Sequence, residues 1–286
     1  MAAKRLAPSV ANGEHAPVRN VFLTLAVLIG PFANPATQAS VPLRLTYEGY
    51  AVGLHVLALN AEVDLAPRTY RLELFYRTVG LYGTFVHTQS QASAVGGWNA
   101  QRPVPQLYDA TGILRGDPYR AAIAFSGGLP EIRALVPGNE NREPVPREQQ
   151  SGTMDPLSAM VLLLRQVAGS GRCESDAKTF DGRRLSAIRA RTVGEEMLGG
   201  EPHSSFSGRA LRCDFEGQEL AGFKRDASPE DRARPIRGSA WFAPVVPGGL
   251  PVPVRLNFET RFVGHMTLYL TGAVPEPAPS ARSAVH

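Results

Sequence analysis

A mainly β fold is what this 286-residue sequence predicts: a curved antiparallel sheet, barrel or half-barrel, with one buried apolar helix. Three observations carry the prediction. Stretches of alternating apolar and polar residues recur along the chain, the period-two mark of half-buried strands. The 28 glycines and 24 prolines suit many strands joined by tight turns. A single stretch, in contrast, is apolar at nearly every position and carries both the start and the stop signals of a helix.

The N-terminal 39 residues read as a targeting segment. Lys4, Arg5 and Arg19 precede the apolar run Val21–Ile29, which Gly30-Pro31 break before the small-residue stretch Ala36-Thr37-Gln38-Ala39. That order is a secretory signal peptide cut after Ala39. The run is about half of the roughly 20 apolar residues that a membrane anchor needs. No cysteine follows it, so a lipid-modified N-terminus is not expected. The predicted destination is the periplasm.

A single β-rich domain is then expected over residues 40–273. Leu43–Glu48 and Leu54–Leu59 alternate; Tyr70, Leu72, Leu74 and Tyr76 share one face of a strand whose other face carries Arg71, Glu73 and Arg77. Gly80–Gly83 reads as a turn into a strand over Thr84–Ala92, and the proline-bearing stretches Arg102–Pro105 and Gly138–Pro146 as loops. The helix opens with Asp155 as N-cap and Pro156 at its first position and stops at Gly169. Leu157, Met160, Val161, Leu162, Leu163, Leu164 and Val167 wrap most of its circumference, so it belongs inside the curved sheet or across its mouth. Strands are expected to resume over Arg184–Thr192, Phe206–Phe215, Gly238–Phe242, Val252–Thr260 and His265–Leu270. From residue 274 to 286 the Pro/Ala/Ser composition predicts a disordered tail.

Cys173 and Cys213 are the two cysteines, and an even count in an oxidising compartment favours a bridge over two free thiols. The histidines of the exported part stand without metal-ligand spacing, so no metal is expected. The net charge is +4, and +2 once residues 1–39, with Lys4, Arg5 and Arg19 against Glu14, are removed. No nucleic-acid partner is expected from so small an excess.

The search for chemistry yields no catalytic residue and no cofactor site. Ser126, in Ala124-Phe125-Ser126-Gly127-Gly128, lacks the preceding glycine of a nucleophile elbow and reads as a turn residue. Phosphate-loop, dinucleotide and His-Glu-x-x-His patterns do not occur. Asp155 is a helix cap before it is an acid. The candidate ligand or partner surface is Asp181, Arg183, Arg184 and Trp241. Asp181-Gly182 is at the same time a hairpin-turn pair, and Trp241-Phe242 suits a core or sheet edge as well as a ligand cavity.

Several motifs in order resemble a known family. They are Tyr47-Glu48-Gly49-Tyr50 with Gly53, Met154-Asp155-Pro156-Leu157-Ser158-Ala159, Phe180-Asp181-Gly182-Arg183-Arg184, Trp241-Phe242-Ala243-Pro244 and Leu250-Pro251-Val252-Pro253-Val254-Arg255. Together, over about Leu43 to Leu270, they resemble the bacterial exported family known as domain of unknown function 3108. Cys173 before Phe180-Asp181-Gly182 and Cys213 before Ala221-Gly222-Phe223 resemble its alphaproteobacterial branch. The resemblance implies an exported, β-rich envelope protein and supplies no catalytic residues. The functional expectation is therefore a non-enzymatic envelope protein, peripheral to the membrane at most, that binds an envelope protein. The alternative is a carrier of a lipid-like ligand.

Overall fold

The computed structural model describes residues 41–260 and 264–276. The expected signal peptide lies outside these residues, as does the part of the expected 274–286 tail that follows residue 276. Among the described residues thirteen strands form one antiparallel sheet, a nearly closed barrel. The first run of hairpins comprises β1 (Leu43–Ala51), β2 (Leu54–Leu65), β3 (Thr69–Thr78), β4 (Gln89–Asn99), β5 (Arg102–Leu114), β6 (Asp117–Ser126) and β7 (Leu129–Val136). The second comprises β8 (Ser175–Phe180), β9 (Leu185–Leu198), β10 (Gly208–Ala221), β11 (Ile236–Pro244), β12 (Pro251–Thr260) and β13 (Gly264–Pro275). Each strand pairs with the next in sequence, and β13 returns to pair with β1 from Leu43↔Pro275 to Ala51↔Met266. The two edges left over are β7 and β8.

The inward faces follow the alternation of the sequence. In β1, Leu43, Leu45 and Tyr47 are buried while Arg44 and Thr46 are exposed; in β3, Tyr70 and Leu72 are buried. Of the helices α1 (Gly80–Phe85), α2 (Arg147–Gln150), α3 (Pro156–Ser170) and α4 (Pro229–Ala233), α3 is the one that builds the core. Its N-terminus is capped by Asp155, whose carboxylate accepts from the Ser158 amide at 2.8 Å. The helix touches β3, β4 and β5 on one wall and β12 and β8 on the other, so it runs through the barrel interior. Val161, Leu164 and Val167 are buried there, each stabilising the fold by roughly 1.5–3 kcal/mol through apolar burial.

Between the edge strands the seam is filled by the chain that leads into α3. The Gly152 amide donates to the Gly128 carbonyl oxygen at 2.9 Å, and Met154 pairs with the free edge of β8 through Lys178 and Phe180. Cys173 and Cys213 are joined, their Cα atoms 5.9 Å apart, which ties the start of β8 to β10.

Several expectations need correction. Gly80–Gly83 is part of α1, closed by Gly83 and Val86 amides donating back four residues, and its strand starts at Gln89, not Thr84. Arg102–Pro105 opens β5 instead of forming a loop. Pro103 and Pro105 fit because they stand at the strand's start, beside a bulge between Val95 and Gly96. The helix ends at Ser170, with Gly171 in the left-handed conformation, two residues past the expected stop. Strands β6 and β7 were not expected at all. β13 runs to Pro275, past residue 273, because the Glu276 amide still donates to the Pro42 carbonyl oxygen.

Candidate functional site

The four candidate residues fall into two places. Asp181, Arg183 and Arg184 form the turn between β8 and β9, at one end of the seam. Burial pushes the Asp181 carboxyl up, but the Arg184 guanidinium and the Arg183 and Arg184 amides outweigh this and hold it below its usual range. Asp181 Oδ1 accepts from both amides at 2.9 and 2.7 Å, and Arg184 donates to Oδ2 at 2.7 Å. That is the hairpin-turn role of an Asp-Gly pair with one added ion pair.

The neighbouring arginines then part company. Arg184 is exposed, whereas Arg183 turns in across the seam. Its Nη2 donates to the carbonyl oxygens of Pro137 at 2.6 Å and Arg120 at 3.3 Å. Its guanidinium lies 4.8 Å from the Tyr119 ring centre, and Asn139 Nδ2 donates to the Gly182 carbonyl oxygen at 3.0 Å. The turn thus fastens the β8 edge to the β6–β7 side.

Trp241 stands apart from this group. It pairs with Arg212, which pairs with Gly194, nine positions along β9 from Leu185, or about 30 Å at strand rise. Arg255 stacks on the indole at 3.9 Å and Arg212 at 5.4 Å, and the indole nitrogen donates to Glu196 at 2.6 Å. Hydrogen bonds from Arg212 and then Trp241 hold the Glu196 carboxyl below its usual range. Covered in this way, Trp241 is only 7% exposed.

Sequence reasoning missed three features. The first is a buried polar chain beneath the helix cap: Ser158 Oγ donates to Asp155 Oδ2 at 2.5 Å and lies 2.7 Å from the Tyr70 hydroxyl. Desolvation raises the Asp155 carboxyl to about 6, partly offset by the Ser158 bonds. The second is an open groove of about 880 Å³ on the outer face of β8–β12. Opposite charges line it in pairs, Asp176 with Arg189 at 3.3 Å and Glu216 with Arg237 at 2.8 Å.

The third is an apolar end of the barrel. The β1–β2 turn carries Val52 at 90% exposure and β2 opens with Leu54 at 55%; the adjoining α1 carries Leu81 at 73% and Phe85 at 85%. The Val79 amide donates to the Val56 carbonyl oxygen at 3.1 Å, which holds α1 against this turn. Part of the signal existed in the sequence, since Val52, just before Gly53, and Leu81, in the stretch read as a turn, occupy positions where polar residues are the norm.

Comparison with known proteins finds two solved structures of distant similarity. A crystal structure of a beta-barrel-like protein of domain of unknown function DUF1849 from Brucella abortus superimposes with a TM-score of 0.48 at 12% identity, covering 83% of this chain and 99% of that one. A putative outer membrane lipoprotein-sorting protein domain from Vibrio parahaemolyticus gives 0.22 at 7% identity, covering 84% and 88%. No curated protein matches the sequence. The pattern that defines the family described as protein of unknown function (DUF3108) matches residues 44–271, and the chain belongs to that family.

Proposed function

We propose that this is an exported periplasmic protein of the cell envelope that acts by binding a partner at its surface and not by catalysis. The observation that carries the reading is the apolar end, where four large apolar side chains face solvent around two adjoining connections. The Cys173–Cys213 bridge supports an oxidising compartment. The Tyr70–Ser158–Asp155 chain has the residue types of a hydrolytic site, yet Asp155 and Ser158 are fully buried at the N-terminus of α3, out of reach of a substrate. This supports a structural role for them. The test is expression of the tagged full chain in a bacterium, cell fractionation and intact mass. The expected species is residues 40–286 less two hydrogens, associated with the envelope, and the paired change Leu81→Ser and Phe85→Ser releases it into the soluble periplasm. A reduced, uncut chain in the cytoplasm, or unchanged association of the variant, overturns the reading.

The carrier reading keeps one supporting observation: α3 runs through the barrel beside a seam closed by a few hydrogen bonds and one arginine. Opening there would expose an apolar lining. Native mass spectrometry showing a lipid-sized mass that leaves on denaturation would favour it.

A further inference from the structure

Resting on the binding reading above, we propose that the barrel end formed by the β1–β2 turn and α1 docks on the surface of a phospholipid bilayer. Val52, Leu54, Leu81 and Phe85 enter the headgroup region.

The backbone at the tip is the first argument. Val52 and Gly53 are the two central residues of the hairpin, at φ +49° and +77°. A two-residue turn with both φ positive favours Asn-Gly, whose first side chain tolerates the left-handed region. A β-branched residue there is an outlier. The chain accepts that strain to place an apolar side chain at the most exposed point of the turn, and solvent gives it no compensation. A lipid interface does.

Chemical make-up is the second. From Ala51 to His55 and from Val79 to His87 the chain holds no Asp, Glu, Lys or Arg. Its polar side chains are Tyr82, Thr84, His55 and His87, types that suit a boundary with one wet and one apolar side. No ion would need to be desolvated on insertion.

The flanking charges are compatible with a phospholipid surface, which carries both phosphates and cationic head groups. Arg77 at the end of β3 and Arg115 in the β5–β6 turn are exposed directly behind the tips. The Arg115 amide donates to Thr88 Oγ1 at 3.1 Å and the Gly116 amide to the His87 carbonyl oxygen at 2.9 Å, so this turn is fastened to the α1 connection. Two guanidiniums at headgroup depth match lipid phosphates. Asp117, next to this turn, and Glu48, in register with Arg77 across Ala58 of β2, balance the two arginines, so the apolar tips supply the attraction. Size argues against a folded partner. A stable protein interface needs about 800 Å² from each side. Four protruding tips offer on the order of a few hundred.

The test is flotation of the purified, disulfide-bonded protein with vesicles of phosphatidylethanolamine and phosphatidylglycerol. Wild type is expected to float with the vesicles in low and high salt alike, because apolar insertion is not screened by salt. The paired change Leu81→Ser and Phe85→Ser is expected to lower the bound fraction about tenfold or more, because most of the inserted apolar area is gone. Leu107→Ser on the barrel wall is expected to change nothing. Phe85→Trp, which keeps the tip apolar, is expected to show a blue-shifted emission on vesicle addition that the parent lacks. Wild type that stays unbound, or a Ser variant that floats equally, overturns the proposal. Should the Ser variant leave the envelope in cells while wild type ignores vesicles, the partner is a protein; the lipid inference then fails and the binding reading stands.

Discussion

Arg183 reaches across the barrel's seam to Pro137, its Nη2 2.6 Å from the proline's carbonyl oxygen, and so joins the turn after β8 to the end of β7. The guanidinium is buried and stacked on Tyr119. Arg183→Met keeps the aliphatic stem but removes these donors and leaves the Pro137 and Arg120 carbonyl oxygens without them. The expected cost is about 2–3 kcal/mol, the range for hydrogen bonds to charged groups. It is read as a lower urea midpoint, together with faster amide exchange in β7 than in β3. An unchanged midpoint would show that the seam is held elsewhere.

The buried Asp155 predicts a pH signature. Its folded value of about 6 lies above that of an unfolded aspartate, because burial penalises the charge. The folded protein therefore holds an extra proton between about pH 4 and 6, and the stability this represents is lost as pH rises through about 6. Asp155→Asn keeps an oxygen to accept from the Ser158 amide and carries no charge. Between about pH 4 and 7.5 the stability difference between the two proteins is expected to move by about 2–3 kcal/mol towards the variant. Urea melts across that range check it; a difference independent of pH would mean that Asp155 titrates normally.

Removing the bridge is expected to be expensive. Cys173 and Cys213 are 40 residues apart in sequence. Cross-linking a loop of that size stabilises the fold by about 4 kcal/mol in the chain-entropy treatment. The double change to alanine, or reduction of the native protein, is expected to lower the unfolding midpoint accordingly. Equal midpoints with and without reductant would contradict this.

Gly96 predicts a steric effect. A β-carbon there would meet the Tyr70 hydroxyl and the Val104 carbonyl oxygen, both fixed in the barrel wall. Gly96→Ala is expected to cost about 1–3 kcal/mol, as overpacking does. Tyr70 must yield, so its bond to Ser158 should lengthen and the near-ultraviolet tyrosine signal should change. Near-wild-type stability with an unaltered spectrum would place Tyr70 on a softer wall.

Legibility in the sequence varied along the chain for definite reasons. Strands such as β1 and β3 could be read because Leu43, Leu45, Tyr70 and Leu72 face the core and polar residues face water. In β5 the pattern blurs. Val104, Leu107 and Ile113 are exposed, while Pro103 is buried near a bulge, so no period of two stands out. The Asp181-Gly182 turn was visible as a local pair. That Arg183 goes inward and Arg184 outward depends on β7, more than 40 residues away in sequence, as the Arg183–Pro137 bond shows. Trp241 was conspicuous by type alone, yet its setting is built by Arg212, Arg255 and Glu196 from three other strands.

By itself the sequence determined what short-range forces control. These are the alternation of half-buried strands, the Asp155 cap with its proline and apolar helix, and a turn at Asp181-Gly182. The tertiary structure alone decided how β13 closes on β1, what crosses the seam between β7 and β8, and which turns share the apolar end. Those outcomes rest on strand register between distant segments. Register is set by the summed packing and hydrogen bonding of whole strands, and no local window contains that sum.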